Sequence, residues 1–92
     1  MSHLHTLNNP ALLALCLRAC QAGDSLILLE DGVYCAMDAT LLEQLGELSV
    51  YALREDLAAR GLQDRTQASV TTVSMTDFVR LCCDASRVIN WF

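Results

Sequence analysis

Lysine is absent from this 92-residue sequence, glycine occurs four times and proline once. Without lysine, a phosphate-binding loop of the Walker type is excluded, and the glycines do not form the dinucleotide-binding pattern G-x-G-x-x-G. The 6 cationic residues, all arginine, are scattered along the chain and stand against 11 acidic residues, which leaves a net charge of -5. Binding to a nucleic-acid backbone or to an anionic membrane surface needs clustered positive charge. We therefore expect no direct binding to nucleic acid and none to a membrane.

Long hydrophobic runs are also absent. The longest uninterrupted apolar stretch covers residues 11–17, whereas a membrane-spanning helix needs about 20 residues. The N-terminus has no basic region followed by an apolar one, so we expect no signal peptide. The 5 cysteines are odd in number and lack the spacing of a disulfide scaffold. The predicted compartment is therefore the reducing environment of the cytosol, with the thiols free.

Hydrophobic residues, by contrast, make up 53% of the chain, which is typical of a folded protein and not of a disordered one. The length fits one domain, which we assign to residues 1–92. A domain of this size hides only about two-thirds of the surface of its unfolded chain. The apolar surplus therefore suggests that part of the core is shared with another chain.

Apolar segments of strand length alternate with segments of helical pattern along the chain. The predicted strands cover residues 4–7, 25–29, 48–53 and 70–74, with the apolar tail 88–92 as a candidate fifth strand. The predicted helices cover residues 11–22, 41–45, 54–60 and 77–84, with a helical turn at 33–37. This order predicts an α/β fold: a single small domain with a four- to five-stranded, mainly parallel sheet flanked by helices.

Two acidic pairs and two histidines could carry chemistry. The pairs at 30–31 and 55–56 follow predicted strands, where paired carboxylates could titrate unusually, but charge that complements a helix N-terminus is the favoured interpretation. His3 and His5 lie two apart on a strand and share a face, yet a zinc site needs at least a third ligand. We favour structural roles for both histidines.

Cys16 and Cys20 are the strongest candidates for reactive side chains in the sequence. They lie four apart on the first predicted helix and fall within an apolar stripe that includes Leu13 and Leu17. The pattern favours two small buried hydrophobes. The alternative is a thiol that is exposed in the monomer or lines a subunit interface. Such a thiol would need a lowered pKa to be reactive. The remaining three cysteines, at 35, 82 and 83, are predicted to belong to the core.

The aromatic pair Trp91-Phe92 ends the chain. An exposed aromatic pair lowers solubility, so it is expected either to fold back onto the sheet or to anchor a partner. The sequence favours neither alternative.

Taken together, the segments resemble the DsrH/TusB family of sulfur relay proteins. The resemblance runs over nearly the whole chain and rests on an ordered set of short matches. These are Leu4-His5-Thr6-Leu7-Asn8, Cys16-Leu17-Arg18, Gly23-Asp24, 26–34 (LILLEDGVY), Val50-Tyr51-Ala52-Leu53, 55–61 (EDLAARG), Thr76-Asp77-Phe78-Val79 and Trp91.

The resemblance implies a DsrE/DsrF-like fold, similar to a small flavodoxin-type sheet. It also implies a cytosolic complex with TusC/DsrF-like and TusD/DsrE-like subunits, assembled as a dimer of heterotrimers. Such a complex passes persulfide sulfur to a TusE/DsrC-type carrier and needs neither a metal nor an organic cofactor. In one branch of the family the sulfur serves 2-thiolation of the wobble uridine of tRNA, and in the other it belongs to dissimilatory sulfur oxidation.

The family pattern also points to one cysteine. DsrH-type members carry a cysteine seven residues before the glycine that opens the second strand, and Cys16 stands seven before Gly23. Cys16 is therefore the candidate persulfide carrier, which would make the chain a sulfurtransferase subunit. Cys20 lies outside the pattern and is a second candidate, as a resolving thiol or as packing. The alternative is a noncatalytic assembly subunit of the same complex, in which the cysteines only pack. A redox-sensing disulfide between Cys16 and Cys20 is disfavoured, because residues four apart on a helix have poor disulfide geometry.

Overall fold

The computed structural model describes residues 2–44 and 46–92. Five strands form one sheet, in which every described pairing is parallel and the spatial order is β4-β3-β2-β1-β5. The strands are β1 His3–Leu7, β2 Ser25–Leu28, β3 Ser49–Leu53, β4 Val70–Val73 and β5 Arg87–Trp91. The predicted α/β class and parallel sheet are confirmed, and the tail does form the fifth strand.

The helices lie on both faces of the sheet. A 3-10 turn at Pro10–Leu12 leads into α1 Leu13–Ala19, and a longer 3-10 segment at Glu30–Met37 precedes α2 Ala39–Glu43; α3 Arg54–Ala59 and α4 Met75–Asp84 follow. Strands β1 to β4 are added in one direction across the sheet, whereas β5 returns to pair with β1. Because crossovers between parallel strands are right-handed, the return crossover places α4 on the face opposite to the other helices.

Two groups of buried residues reflect this division. The larger one lies under α1, α3 and the 3-10 segment at 30–37 and includes Leu7, Cys16, Leu26, Leu28, Val33, Ala52 and Leu57. The smaller one, Leu4, Ile27 and Val73, packs against Phe78 and Leu81 of α4. Alternate residues of β2 thus point to opposite faces and are buried on both, as its continuous apolar sequence predicts.

The first helix is shorter than predicted. It ends at Ala19, and Cys20 already has extended backbone angles (φ -76°, ψ 144°). The reason lies a few residues further on, where the carboxylate of Asp24 accepts a hydrogen bond from the backbone N–H of Gln21 at 3.0 Å. A side chain that binds a nearby backbone N–H competes with continuation of the helix.

The later elements follow the predictions closely. Ser74 caps α4 and forms a reciprocal capping box with Asp77, so this helix starts at Met75, two residues before the predicted 77. The predicted helix 41–45 corresponds to α2, although residue 45 lies outside the described residues. Trp91 is the last residue of β5 and packs, half-buried, against the core, whereas Phe92 remains 81% exposed. Within the described ranges, no helix is both long enough and apolar enough to cross a membrane.

The prediction that Cys35, Cys82 and Cys83 belong to the core is right for Cys35 and wrong for Cys83. Cys35 is buried, Cys82 is half-buried and Cys83 is exposed. Cys82 and Cys83 are consecutive on α4, the one helix that the described residues place on this face of the sheet, so their side chains cannot both turn towards the strands.

Candidate functional site

The two candidate thiols lie together at the C-terminal end of α1. Cys16 faces the sheet and is fully buried, while Cys20 follows the last helical residue and is half-buried. The backbone N–H of Cys20 donates to the carbonyl of Cys16 at 3.1 Å, which keeps the two residues one helical turn apart. The two sulfur atoms and a ring nitrogen of His5 all lie within 4.8 Å of one another. Helix α1 and strand β1 therefore bring two thiols and an imidazole to one point.

Both thiols are poorly ionised in this environment. Burial raises the pKa of Cys16 from 9.0 to about 12, and the neighbouring Cys20 adds to the shift. Burial also raises the pKa of Cys20, although the hydrogen bond from Cys16 acts in the opposite direction. Only the thiolate is an effective nucleophile. Cys16 therefore needs a change of surroundings, or a partner that takes its proton, before it can react.

His5 occupies the floor of the site and is fully buried. The indole Nε1–H of Trp91 donates to His5 Nδ1 at 3.1 Å, and an indole N–H can only donate. His5 Nδ1 must then be the unprotonated nitrogen, so the proton is on Nε2. That nitrogen donates to Asp24 Oδ2 at 3.1 Å. The hydrogen bonds thus assign one neutral tautomer to the ring and engage both of its nitrogens.

Asp24 anchors this network just before β2. Its carboxylate also accepts hydrogen bonds from the backbone N–H of His3 at 3.1 Å and of Gln21 at 3.0 Å. Burial by itself would raise the pKa of this carboxyl, but the two backbone hydrogen bonds and the one from His5 outweigh it, so the pKa lies below its ordinary value. Asp24 is therefore a buried carboxylate that stays ionised at neutral pH.

Two groups of side chains in the described part of the chain have metal-ligand spacing: His5 with both candidate thiols, and His3 with His5 and Asp24. Each supplies three ligands and both depend on His5. Since both nitrogens of His5 are already hydrogen-bonded, the ring offers no free lone pair to a metal ion. The arrangement supports the structural role that the sequence favours for His5.

The acidic pairs lie at the carboxyl edge of the sheet, where the strands β2 and β3 end. Asp31 accepts two hydrogen bonds from the guanidinium of Arg60, at 3.1 and 2.9 Å. Asp56 accepts a hydrogen bond from the backbone N–H of Glu30 at 2.7 Å. Glu30 has a positive φ of 50°, a conformation that few residues other than glycine adopt, and its backbone N–H is held by Asp56. These contacts support a structural interpretation of both pairs.

Cys20 also lines a surface cleft of about 230 Å³. The cleft lies between the connection that leads into β2 and the connection that leads into β3, at the amino edge of the sheet. Sites in parallel α/β sheets usually form at the carboxyl edge, so sequence reasoning based on strand ends does not find this one. Its other lining residues are Leu17, Gln21, Ala22, Gln44, Glu47 and Leu48.

Both thiols are candidates from the sequence, whereas the network beneath them is not predicted by it. From the sequence, Asp24 is noted only as part of the match Gly23-Asp24, and Trp91 only as a residue of the apolar tail and as the last match. One signal was present: an aspartate next to a continuous apolar strand is expected to need hydrogen-bond donors. Nothing in the sequence indicates that Trp91 supplies its N–H to His5, which lies 86 residues away.

Comparison with known proteins identifies relatives of the chain. The family described as "DsrH like protein" matches residues 9–88. Protein TusB from Escherichia coli O81 (strain ED1a) and from E. coli O6:K15:H31 (strain 536) is 44% identical over 94 aligned residues. Protein TusB from E. coli O139:H28 (strain E24377A) is 43% identical. In each case the alignment covers 96% of this chain and 99% of the relative.

Among solved structures, the crystal structure of the ychN protein from E. coli matches with a TM-score of 0.77. The match covers 99% of this chain and 100% of that chain at 14% sequence identity, so it bears on the fold alone. It agrees with the fold that the resemblance implies. With a family match over 80 of the 92 positions, numbered 9–88, and 44% identity to TusB over nearly its full length, this chain belongs to the DsrH/TusB family.

Proposed function

We propose that the chain is a subunit of a cytosolic sulfur relay complex. In this proposal it assembles with TusC/DsrF-like and TusD/DsrE-like subunits, and the complex passes persulfide sulfur to a TusE/DsrC-type carrier. The observation that carries the proposal is the 44% identity to TusB over 96% of the chain. The free state of all five cysteines is consistent with a reducing compartment.

Exposed apolar side chains support assembly with other subunits. On α4, Met75 is 50% exposed and Val79 is 54% exposed, and Phe92 at the C-terminus is 81% exposed. No residue of α4 is fully buried, although the helix is amphipathic. A chain this small cannot cover all of its apolar surface by itself, and a partner subunit would cover what remains.

Cys16 is the proposed sulfur carrier because of its position seven residues before Gly23. Its thiolate would attack the outer sulfur of a donor persulfide, which forms a new persulfide on Cys16 and releases the donor thiolate. A carrier thiolate would then attack the outer sulfur and free Cys16. Its burial and its raised pKa mean that this subunit has to rearrange, or to use a second thiol, before Cys16 reacts.

That same burial favours a second candidate function. In a noncatalytic assembly subunit, Cys16 would fill the space between α1 and the sheet, and sulfur would pass through a partner subunit alone. A fully buried thiol with a pKa of about 12 behaves as a small hydrophobe unless something opens its surroundings.

Sulfur transfer through the reconstituted complex distinguishes the two functions. Complexes with wild-type chain, Cys16→Ser and Cys35→Ser would be charged by a persulfide donor, and the sulfur that reaches the carrier would be followed by intact mass. Cys35→Ser is the matched control, since Cys35 is also buried but belongs to the 3-10 segment Glu30–Met37 and not to α1. Loss of transfer in an intact Cys16→Ser complex would support the carrier role, and unchanged transfer would support the assembly role.

The direction of transfer can be measured with the same material. Starting the assay from a charged carrier, with the complex as acceptor, measures transfer in the reverse direction. The proposed role as a donor to the carrier predicts faster transfer to the carrier than from it. If the chain does not co-purify with TusC-like and TusD-like subunits at all, the proposed complex is wrong.

A further inference from the structure

We propose that Cys20 is the thiol through which sulfur enters and leaves this subunit, and that Cys16 receives sulfur only from Cys20. The inference rests on the proposed relay function and assigns the order of two thiols within it. It differs from the family pattern, which points to Cys16 and leaves Cys20 out.

Access distinguishes the two sulfur atoms. Cys16 lies on the inward face of α1 and is completely buried, so no external persulfide can reach it in this conformation. Cys20 is half-buried and lines the cleft of about 230 Å³ at the amino edge of the sheet. A water molecule occupies about 30 Å³ of liquid, so the cleft has room for the end of a persulfide-bearing side chain.

The spacing of the two thiols suits direct transfer. An S–S bond is about 2.05 Å long, so a sulfur atom placed in line between two others spans about 4.1 Å. Cys16 Sγ and Cys20 Sγ lie within 4.8 Å of each other. An extra sulfur on Cys20 can therefore contact Cys16 without a large backbone movement.

The transfer step balances without any further reactant. The sulfur of Cys16 attacks the outer sulfur of the Cys20 persulfide, a new S–S bond forms on Cys16 and the S–S bond on Cys20 breaks. The Cys16 thiol proton passes to the leaving Cys20 sulfur, so one persulfide and one thiol remain after the step. The hydrogen bond between the two thiols raises the pKa of Cys16 and acts to lower that of Cys20, as expected when Cys16 is the donor. The proton is thus already directed along the path that the step requires.

The surroundings of Cys16 suit temporary storage of sulfur. Leu13, Leu26 and Val33 belong to the same buried group as Cys16, and His5 closes the polar side with both of its nitrogens hydrogen-bonded. Such an environment keeps out water and competing thiols. Release would follow the reverse step, with sulfur returning to Cys20 before a carrier thiolate attacks it.

The test uses the reconstituted complex and glutathione persulfide as the donor. Samples are alkylated at successive times, and peptide mass spectrometry locates the added sulfur in wild type, Cys20→Ser, Cys16→Ser and Cys83→Ser. Cys83→Ser removes an exposed thiol on a different helix and serves as the control. Size-exclusion chromatography checks that each complex is intact, and Cys20→Ala replaces Cys20→Ser if the serine variant does not assemble.

In wild type, sulfur should appear first on Cys20 and then on Cys16. Without Cys20, labelling of Cys16 should slow by about tenfold or more, because a buried thiol is inert towards external reagents. In Cys16→Ser, Cys20 should be labelled at the wild-type rate and lose its sulfur to a reductant faster. Labelling of Cys16 at the wild-type rate in the absence of Cys20 would overturn the proposal.

The proposed order, in which sulfur reaches Cys20 before Cys16, and the proposed relay function fail in different ways. If sulfur reaches the carrier while neither thiol is labelled, the order is wrong and the assembly role remains. If Cys20 and then Cys16 are labelled but no sulfur reaches any carrier, the order is right and the relay function is wrong.

Discussion

Replacement of Asp24 by asparagine tests the buried network beneath the thiols. The two side chains have nearly the same shape, but asparagine carries one acceptor oxygen where aspartate carries two. In the protein, Oδ2 accepts hydrogen bonds from His5 and Gln21, and Oδ1 accepts one from His3. The amide is expected to keep its oxygen at the Oδ2 position, so its NH₂ group faces the backbone N–H of His3.

The magnitude follows from this loss. One hydrogen bond to a charged acceptor is removed, two donors oppose each other, and the remaining bonds no longer have a charged acceptor. A hydrogen bond to a charged group contributes about 1.5–3 kcal/mol, so we expect Asp24→Asn to lower the free energy of unfolding by about 2–4 kcal/mol. That is a large share of the total for a small domain, which is about 5–15 kcal/mol.

The pH dependence provides an independent check. Because the folded protein lowers the pKa of Asp24 below 3.8, the carboxylate contributes its full stabilisation above that pH and loses it as the pH falls through the folded pKa. Asparagine does not titrate. The difference between wild type and Asp24→Asn should therefore be largest at neutral pH and should narrow below pH 3.8.

Urea unfolding of the full chain at several pH values measures both effects, with Trp91 as a fluorescent probe that contacts the network. Asp64→Asn, at an exposed position, is the matched control for loss of one negative charge. The reasoning is refuted if Asp24→Asn unfolds at the wild-type urea concentration. It is also refuted if the difference from wild type stays constant through the acidic range.

Three further substitutions test other parts of the structure. Trp91→Phe keeps an aromatic ring but removes the donor to His5 Nδ1, so it should lower the free energy of unfolding by about 1–3 kcal/mol. Unfolding followed by circular dichroism measures this, and an unchanged free energy of unfolding would mean that the hydrogen bond contributes nothing. Gly32→Ala would place a Cβ against the backbone carbonyl of Leu7, with the carbonyl carbon of Leu7 at 2.9 Å. This should lower the free energy of unfolding by about 3 kcal/mol, and an unchanged value in urea unfolding would contradict the close approach. Ser74→Ala removes the N-cap of α4 and should lower stability by about 1 kcal/mol, with Ser74→Thr as the control that retains a capping oxygen; equal stabilities for the two variants would argue against the cap.

Local patterns in the sequence were sufficient to predict most of the elements. The continuous apolar run at 25–29 predicts a strand covered on both faces, and β2 lies inside the sheet with buried residues on each side. The helix predicted at 77–84 is present as α4, and the capping box that sets its start at Met75 involves only residues three apart, Ser74 and Asp77. Such features depend on neighbours along the chain, so the sequence contains the information that decides them.

The predictions that were wrong depend on features that apolar periodicity does not include. Apolar periodicity alone predicts a helix to residue 22, but α1 ends at Ala19 because Asp24 binds the backbone of Gln21. The core assignment of Cys83 fails for a related reason. Among residues 2–44 and 46–92, α4 alone covers that face of the sheet, and apolarity does not specify which side of the helix turns inward.

The sequence by itself determined the α/β class, the family and the pair of thiols four residues apart. Only the tertiary structure decided that Cys16 is buried, that Cys20 lines a cleft and that Asp24, His5 and Trp91 form one network. The parallel pairing of β1 with β5 brings Trp91 to His5 across 86 positions, and that of β1 with β2 brings Asp24 to the same ring. The exposure and pKa of a thiol depend on everything packed around it, which local sequence does not specify.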